Sequence, residues 1–181
     1  ADDLLALVFT AFDGPRLVCP AMHSAMLGQA LHGRALEALR GAGVRILEAE
    51  VGVLASGEVG PGRLPEPAAA SEAVEALLSP QDLRGRRLLV TAGPTREPVD
   101  AVRFLSNPST GRMGYAVARA AARRGAEVTL ISGPVALDTP LGVRRIDVVT
   151  AAEMADAVRA AYPDCDAVVM SAAVADATAG R

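Results

Sequence analysis

The chain contains no lysine: its 18 basic residues are all arginine, a bias of composition and not by itself a functional device. Cysteine is nearly as scarce, with Cys19 and Cys165 each isolated in an apolar run. Two scattered thiols exclude a disulfide framework and a cysteine metal cluster, and buried free thiols are the expectation. No apolar run reaches the roughly 20 residues that span a bilayer, and no signal-peptide pattern is visible. No membrane partner is therefore expected, and the cytoplasm is the expected compartment. Positive charge is not in excess either. A net charge of −3 argues against a general nucleic-acid or anionic-membrane binder and leaves room only for a local basic patch. Internal repeats and low-complexity segments are missing too, although alanine is abundant.

What is present suits a packed α/β protein. Hydrophobic residues make up 51% of the 181 residues and charged residues 22%, enough for one ordinary domain or a domain with a flanking fragment. Strand and helix signals alternate, as in parallel α/β folds. A helix is predicted over 2–12, a short buried strand over 16–19, a helix over 24–40 with Met26, Leu27, Leu31, Leu36 and Leu39 at helical spacing, and a strand over 44–47. Residues 51–67 are rich in Gly and Pro and read as a loop or loose hairpin; a short helix over 71–78 and a turn at 79–82 follow. A fully buried strand at 88–90 then opens a βαβαβ run. It comprises a long loop, a helix over 111–124, strands at 127–131 and 145–149, a helix over 151–161 and a strand at 167–170. The best domain boundary lies near residue 80.

The densest chemistry follows the strand at 88–90, in the stretch from Thr91 to Gly114 that enters the next helix through Ser109, Thr110 and Gly111. Open parallel sheets place ligands at the C-terminal ends of their strands. Free backbone N–H groups at a helix start, with a hydroxyl cap and small residues that allow close approach, form an anion site. Arg96, Arg103 and Arg112 add charge suited to phosphate or carboxylate. The plainer alternative is a Ser/Thr cap beside an incidental loop, but the loop is longer than capping requires. A dinucleotide-binding fold would instead show GxGxxG directly after the first strand and an acidic residue ending the second. Gly93 stands alone and Ser132-Gly133 ends the second strand, so both requirements of a nicotinamide dehydrogenase fail.

These residues resemble the signature of the phosphopantothenate–cysteine ligase domain. Thr91 to Glu97 matches its TAG(G/P)T-x-E opening, Asp100 to Asn107 its D-x-V-R-F-x-S-N segment, and Ser109 to Gly114 its S-(S/T)-G-(K/R)-M-G close. Ala172 to Asp176 resembles the family's A-A-V-A-D nucleotide motif. The resemblance implies a Rossmann-like parallel α/β ligase domain over 81–181. It also implies a reaction in which CTP, with Mg²⁺, activates the carboxylate of 4'-phosphopantothenate as an acyl-cytidylate that the cysteine amine then attacks. By motif position Asn107 is catalytic and holds the acyl group, with Arg103 beside it on the substrate. Gly93, Thr95, Ser109, Thr110, Gly111 and Arg112 are implied at the nucleotide, Met170, Ser171 and Ala172 along the cytidine, and Asp176 in a hydrogen bond to it. The resemblance identifies no protein ligand for a metal, and it does not separate CTP from ATP.

The first half resembles the FMN-dependent phosphopantothenoylcysteine decarboxylase often fused to that ligase. Pro20 to Leu27 matches the spacing of P-x-M-N-x-x-M-W, and Leu54 to Leu64 matches a clamp loop usually read as L-A-C-G-x-x-G-x-G-R-(M/L). Residues 1–80 are then the C-terminal part of a flavoprotein-type parallel sheet, with Met22, His23 and Arg63 implied at the substrate. His23 stands where the family has Asn and Ser56 where it has the proton-donating Cys. Histidine can replace Asn as a donor; a Ser hydroxyl is a far weaker acid than a thiol. The plainer readings are a His23 that caps the helix at Ser24 and a merely mobile loop.

Coverage is incomplete at both ends of the family pattern. Residues 2–7 read as the body of a helix, most of the family's FMN-binding residues lie upstream of Ala1, and its Lys-rich nucleotide loop would follow the place where this chain ends. Ala177 stands where an aromatic commonly follows the motif Asp. The expected protein is thus the middle of a fused decarboxylase–ligase of coenzyme A biosynthesis, acting on small molecules and forming homo-oligomers. The alternative is a ligase or regulatory protein with a degenerate flavin domain.

Overall fold

The computed structural model describes residues 3–176; residues 1–2 and 177–181 lie outside it. The chain divides into two compact units, 1–78 and 79–181, each with its own internal contacts.

The first unit opens with α1 (Leu4–Ala11), which Asp3 caps by accepting from the Ala6 N–H at 2.7 Å. β1 (Leu17–Val18) pairs in parallel with β2 (Arg45–Ile46), and α2 (Ser24–Leu27) and α3 (Ala30–Gly41) lie between them in sequence. One continuous helix over 24–40 is therefore corrected to two. The break falls at Gly28-Gln29, where Gln29 is extended (φ −72, ψ 137). Helical spacing could not show it, because it arises from tertiary hydrogen bonds. The Met22 N–H donates to the Gly62 carbonyl and the Ser24 hydroxyl to the Pro61 carbonyl, fixing the direction of α2 before α3 begins. The Gly- and Pro-rich stretch forms an antiparallel hairpin, β3 (Glu50–Val53) with β4 (Val59–Arg63). Its glycines are needed for that seating: a Cβ on Gly62, at φ +139, would lie 1.9 Å from the Met22 carbonyl oxygen. α4 (Pro67–Leu78) starts four residues earlier than expected, with Pro67 at a position where its missing N–H costs nothing. Cys19 and Cys165 are free, and both are partly exposed rather than buried.

The second unit is a four-stranded parallel sheet. Its strands are β5 (Arg87–Ala92), β8 (Glu127–Ser132), β9 (Val143–Asp147) and β10 (Ala167–Met170), in the spatial order β10-β5-β8-β9. Alternation decides what each face buries. Val90, Ala92, Val128 and Leu130 meet Tyr115, Ala118 and Ala121 of α5 (Arg112–Arg123), whereas Leu89 and Ile131 meet Met154 of α6 (Ala151–Ala161) on the other face. Both central strands are covered on two sides, which is why they read as unbroken apolar runs. The long loop after β5 contains a short hairpin that the sequence did not reveal, β6 (Arg96–Pro98) with β7 (Phe104–Ser106). Three residues a strand, one of them proline, leave no alternation to read. From β5 the chain runs outward through β8 to β9, then crosses back to place β10 on the far side of β5. The reversal of strand order puts a crevice at the C-terminal ends of β5 and β10.

Candidate functional site

That crevice is built by buried hydroxyls and by glycines. Thr91 and Thr95 are fully buried although they sit in or just after an apolar strand. The Thr91 hydroxyl oxygen accepts from the backbone N–H groups of Ser171 and Ala172, both at 3.2 Å, and the Ser171 hydroxyl donates to the Thr91 carbonyl at 2.6 Å. The Thr95 hydroxyl accepts from the Ala175 N–H at 2.8 Å, and the Ser106 hydroxyl donates to the Thr95 carbonyl at 2.7 Å. Asn107 completes the frame: its amide donates to the carbonyls of Ala173 at 3.2 Å and Val174 at 3.1 Å, and its side-chain oxygen has no donor among the described residues. Residues 171–175 are thus held by side chains from β5, from its loop and from the end of β7. An adjacent parallel bridge joins Pro94 to Ala173.

The glycines bring the facing backbones together. Gly93 and Gly111 adopt left-handed conformations (φ 76 and 74), and a Cβ on Gly111 would lie 3.4 Å from the Gly93 backbone. A Cβ on Gly114 would lie 2.5 Å from the Ala92 Cβ and 2.6 Å from the Ser171 hydroxyl, so only glycine lets α5 approach the strand ends this closely. Gly111 is the N-cap of α5, and no side chain caps that helix; the hydroxyl cap expected from Ser109 or Thr110 is corrected. The Ser109 hydroxyl instead accepts from the Gly111 N–H at 3.4 Å, one residue before the helix, because the left-handed Gly111 turns the chain away from it. The first turn of α5 therefore carries no acidic residue and no side-chain cap, the arrangement that leaves helix-terminal N–H groups to an anion.

The arginines differ in what they offer. Arg103 is engaged within its own turn, donating from Nε to Asp100 at 2.7 Å and pairing through Nη2 at 2.6 Å. Asp100 also accepts from the N–H groups of Val102 and Arg103, and these backbone bonds, then the guanidinium, hold its carboxyl below the usual carboxylate range. Arg96 stacks on the Phe104 ring at 4.7 Å from its centroid. Arg112 is exposed at the first position of α5 and has no ion pair among the described residues. Met170 is 64% exposed at the end of β10, and Asp176 is exposed at the end of the motif. Sequence reasoning named Gly93, Thr95, Asn107, Gly111 and 170–172 as one site, and the structure brings them to one end of one sheet. It missed Thr91 and Glu97 as organisers. Glu97 is 5% exposed, and its carboxylate accepts from the Ala151 N–H at the start of α6 at 2.8 Å. A hydroxyl or carboxylate amid buried apolar residues was the available signal in both cases.

In the first unit, Met22, His23, Ser56, Arg63 and neighbouring aliphatic residues line a cavity of about 350 Å³. His23 caps α2: its Nδ1 accepts from the Ala25 N–H at 3.2 Å while Nε2 lies 2.9 Å from a Glu58 carboxylate oxygen. Ser56 sits in the exposed turn between β3 and β4. Arg63 is bridged to Glu50 at 2.5 Å and to Glu66 at 3.1 Å, and hydrogen bonding to Arg63 lowers the Glu50 carboxyl from its ordinary value. With the ring nitrogens of His23 and the Arg63 guanidinium bonded within the chain, these residues offer no cationic cradle for a flavin phosphate. They do not by themselves fit FMN. Nor do the described residues contain a group of three or more His, Cys, Asp or Glu side chains that could hold a metal ion. No described helix is long and apolar enough to cross a membrane.

Two families of known proteins match this chain. Residues 83–180 match the family described as DNA/pantothenate metabolism flavoprotein C-terminal domain, and residues 1–79 match the family described as flavoprotein. The coenzyme A biosynthesis bifunctional protein CoaBC of Escherichia coli (strain K12) is 46% identical over 177 residues, covering 97% of this chain and 44% of that protein. The protein of the same name from Mycobacterium bovis is 47% identical over 185 residues, with the same coverage of 97% and 44%. This chain thus spans less than half the length of these relatives. A crystal structure of the C-terminal domain of a coenzyme A biosynthesis bifunctional protein CoaBC aligns at a TM-score of 0.51 with 52% identity, covering 54% of this chain and 50% of that one. On the match over residues 83–180, the chain belongs to the family of the DNA/pantothenate metabolism flavoprotein C-terminal domain.

Proposed function

We propose that residues 81–181 form the nucleotide-binding core of a ligase that joins 4'-phosphopantothenate to cysteine at the expense of CTP. The observation that carries this reading is the frame of Thr91, Thr95 and Asn107 around backbone 171–175, facing the uncapped start of α5. A carboxylate is a poor electrophile until it carries a good leaving group. In this reading the α5 N-terminus and Arg112 receive the nucleotide phosphates, and the end of β10 receives the base and ribose. The side-chain oxygen of Asn107 faces the acyl group as it becomes the acyl-cytidylate. Preorganised N–H groups that meet the charge developing on the leaving phosphate lower the barrier without reorganising at the moment of reaction. The cysteine amine then attacks the acyl carbon and CMP departs. Mg²⁺ bound with the triphosphate would neutralise phosphate charge.

Residues 1–80 are proposed as the C-terminal part of the decarboxylase that converts the ligase product, 4'-phosphopantothenoylcysteine, to 4'-phosphopantetheine. Met22, His23 and Arg63 are placed at the substrate and Ser56 at the proton-donor position. FMN is the proposed cofactor of that decarboxylase, and the longer protein is read as a cytoplasmic homo-oligomer. The names of the relatives support both activities. A second reading, a first unit retained for assembly rather than catalysis, is favoured by the exposed Ser56 and by the full internal bonding of the His23 ring.

The test is CMP and pyrophosphate release from CTP, 4'-phosphopantothenate and cysteine by the full-length natural protein. Asn107→Asp replaces the amide that holds two carbonyls with a carboxylate that repels them. Turnover is expected to fall at least about tenfold, the loss of one or two net hydrogen bonds. Wild-type turnover in that variant would remove Asn107 from the site.

A further inference from the structure

In the cavity of the first unit, the acid that answers His23 is supplied by the chain itself. Nδ1 accepts from the Ala25 N–H, so in the neutral ring the proton resides on Nε2, and it is donated to Glu58 across 2.9 Å. Both nitrogens are then spent. No donor of the ring remains for a ligand in the cavity that His23 lines together with Ser56 and Arg63. Glu58 reaches His23 from the far side of a tight turn. The Leu54 N–H donates to the Glu58 carbonyl at 2.8 Å, and the Gly57 N–H, at φ 85, donates to the Leu54 carbonyl at 2.8 Å. The hairpin that bears this turn is seated on residues 22–24 through Met22 to Gly62 and Ser24 to Pro61, so Glu58 can swing away without the hairpin lifting.

We infer that the Glu58 carboxylate is a built-in competitor: it occupies the place at His23 Nε2 where a ligand carboxylate binds, and ligand entry displaces it. The inference rests on the decarboxylase reading, which places His23 at the substrate. The exposure of the pair suits such an exchange, with side chains 37% and 68% accessible for His23 and Glu58. A contact this open is weak, so one carboxylate replaces another at little cost, whereas a buried pair would have shut the cavity. Glu58 meets the Nε2 proton that the Ala25 N–H has already placed there, so the ring is oriented to donate when the incoming acid arrives. It acts through His23 and is a positioning residue.

The experiment uses the full-length natural protein and its Glu58→Ala and Glu58→Gln variants. Nitrogen-15 shifts of the His23 ring report the proton on Nε2 in wild type and in Glu58→Ala alike, because the Ala25 N–H still holds Nδ1, while the Nε2 signal itself moves as its hydrogen bond to Glu58 is lost. Equilibrium binding of 4'-phosphopantothenoylcysteine tightens about twofold to fivefold in Glu58→Ala, the range expected when a weak exposed pair no longer competes, and by less in Glu58→Gln. Unchanged or weaker binding in Glu58→Ala, beside normal binding by wild type, overturns the inference and leaves the decarboxylase reading standing. A His23 ring whose shifts are the same in wild type and Glu58→Ala overturns it as well. Absence of binding by every form, wild type included, overturns the reading and the inference together.

Discussion

At the residue scale, the buried hydroxyls of Thr91 and Thr95 in the second unit hold backbone N–H groups. Thr95 illustrates the cost of losing one. Valine fills the same space but cannot accept from the Ala175 N–H. Thr95→Val is therefore expected to destabilise the unit by about 1–2 kcal/mol, the penalty of an orphaned donor that stays partly accessible to water. It is also expected to raise the KM for CTP several-fold, because residues 173–175 lose their anchor. Urea denaturation and steady-state kinetics on the same preparation separate the two effects; an unchanged KM with lowered stability would mean that the hydroxyl serves only the fold. Tyr115 and Ser132 make a similar buried contact at 2.9 Å on the α5 face, where the Ser132 hydroxyl passes its own proton to the Gly133 carbonyl. Tyr115 is then the donor of that pair. Glycine matters in the same way at Gly133, whose Cβ would lie 1.7 Å from the Pro94 carbonyl oxygen.

At the scale of elements, helix ends decide how the β6–β7 hairpin is held. α6 begins with a capping box in which the Thr150 hydroxyl accepts from the Glu153 N–H at 3.1 Å and the Glu153 carboxylate accepts from the Thr150 N–H at 3.3 Å. Glu97 of β6 takes the next free N–H, that of Ala151, and the Arg96 N–H donates to the Val149 carbonyl at 2.7 Å. The hairpin that ends at Asn107 is therefore pinned at its base to the start of α6. Thr150→Ala is expected to cost about 1 kcal/mol, as loss of an N-cap does. The loss should be read from the denaturation midpoint, with little change in catalysis because Glu97 keeps its own bond; a large catalytic loss would show that the box positions the site directly.

These helices and their strands were legible from periodicity and flanking glycines, since burial on both faces writes itself as apolar runs. The hairpin and the split between α2 and α3 were not. Both depend on hydrogen bonds between segments distant in sequence, which leave no periodic trace. The same holds for the site. Asn107 was legible through motif resemblance, but that its amide grips residues 173 and 174 could come only from the fold.

At the scale of each whole unit, acidic pH is expected to loosen the molecule through a few exposed pairs. Asp82 accepts from Arg124 Nε at 2.9 Å and Nη2 at 2.5 Å, tying the entry of the second unit to the C-terminus of α5. That hydrogen bonding lowers the Asp82 carboxyl from its ordinary value, as Arg63 lowers that of Glu50 in the first unit. A carboxyl depressed in the folded state contributes stability that is full above the unfolded value, about 4, and is lost as pH falls through the folded one. The denaturation midpoint should therefore fall below about pH 4, and Asp82→Asn should be less stable than wild type near pH 7 but converge with it in acid. Parallel curves at all pH values would show that the pair contributes nothing. The alternating strands and helices made the α/β class plain before any coordinates, and the order β10-β5-β8-β9 then placed Thr91 to Gly114 and Met170 to Asp176 at one crevice. That common location underlies the proposal of carboxylate activation. Its most direct test is exchange of labelled pyrophosphate into CTP by the full-length natural protein, with 4'-phosphopantothenate and Mg²⁺ present and cysteine omitted. Reversible formation of an acyl-cytidylate predicts exchange that requires 4'-phosphopantothenate and is lost in Asn107→Asp. A folded wild-type protein that shows no such exchange, yet binds CTP, would contradict the account.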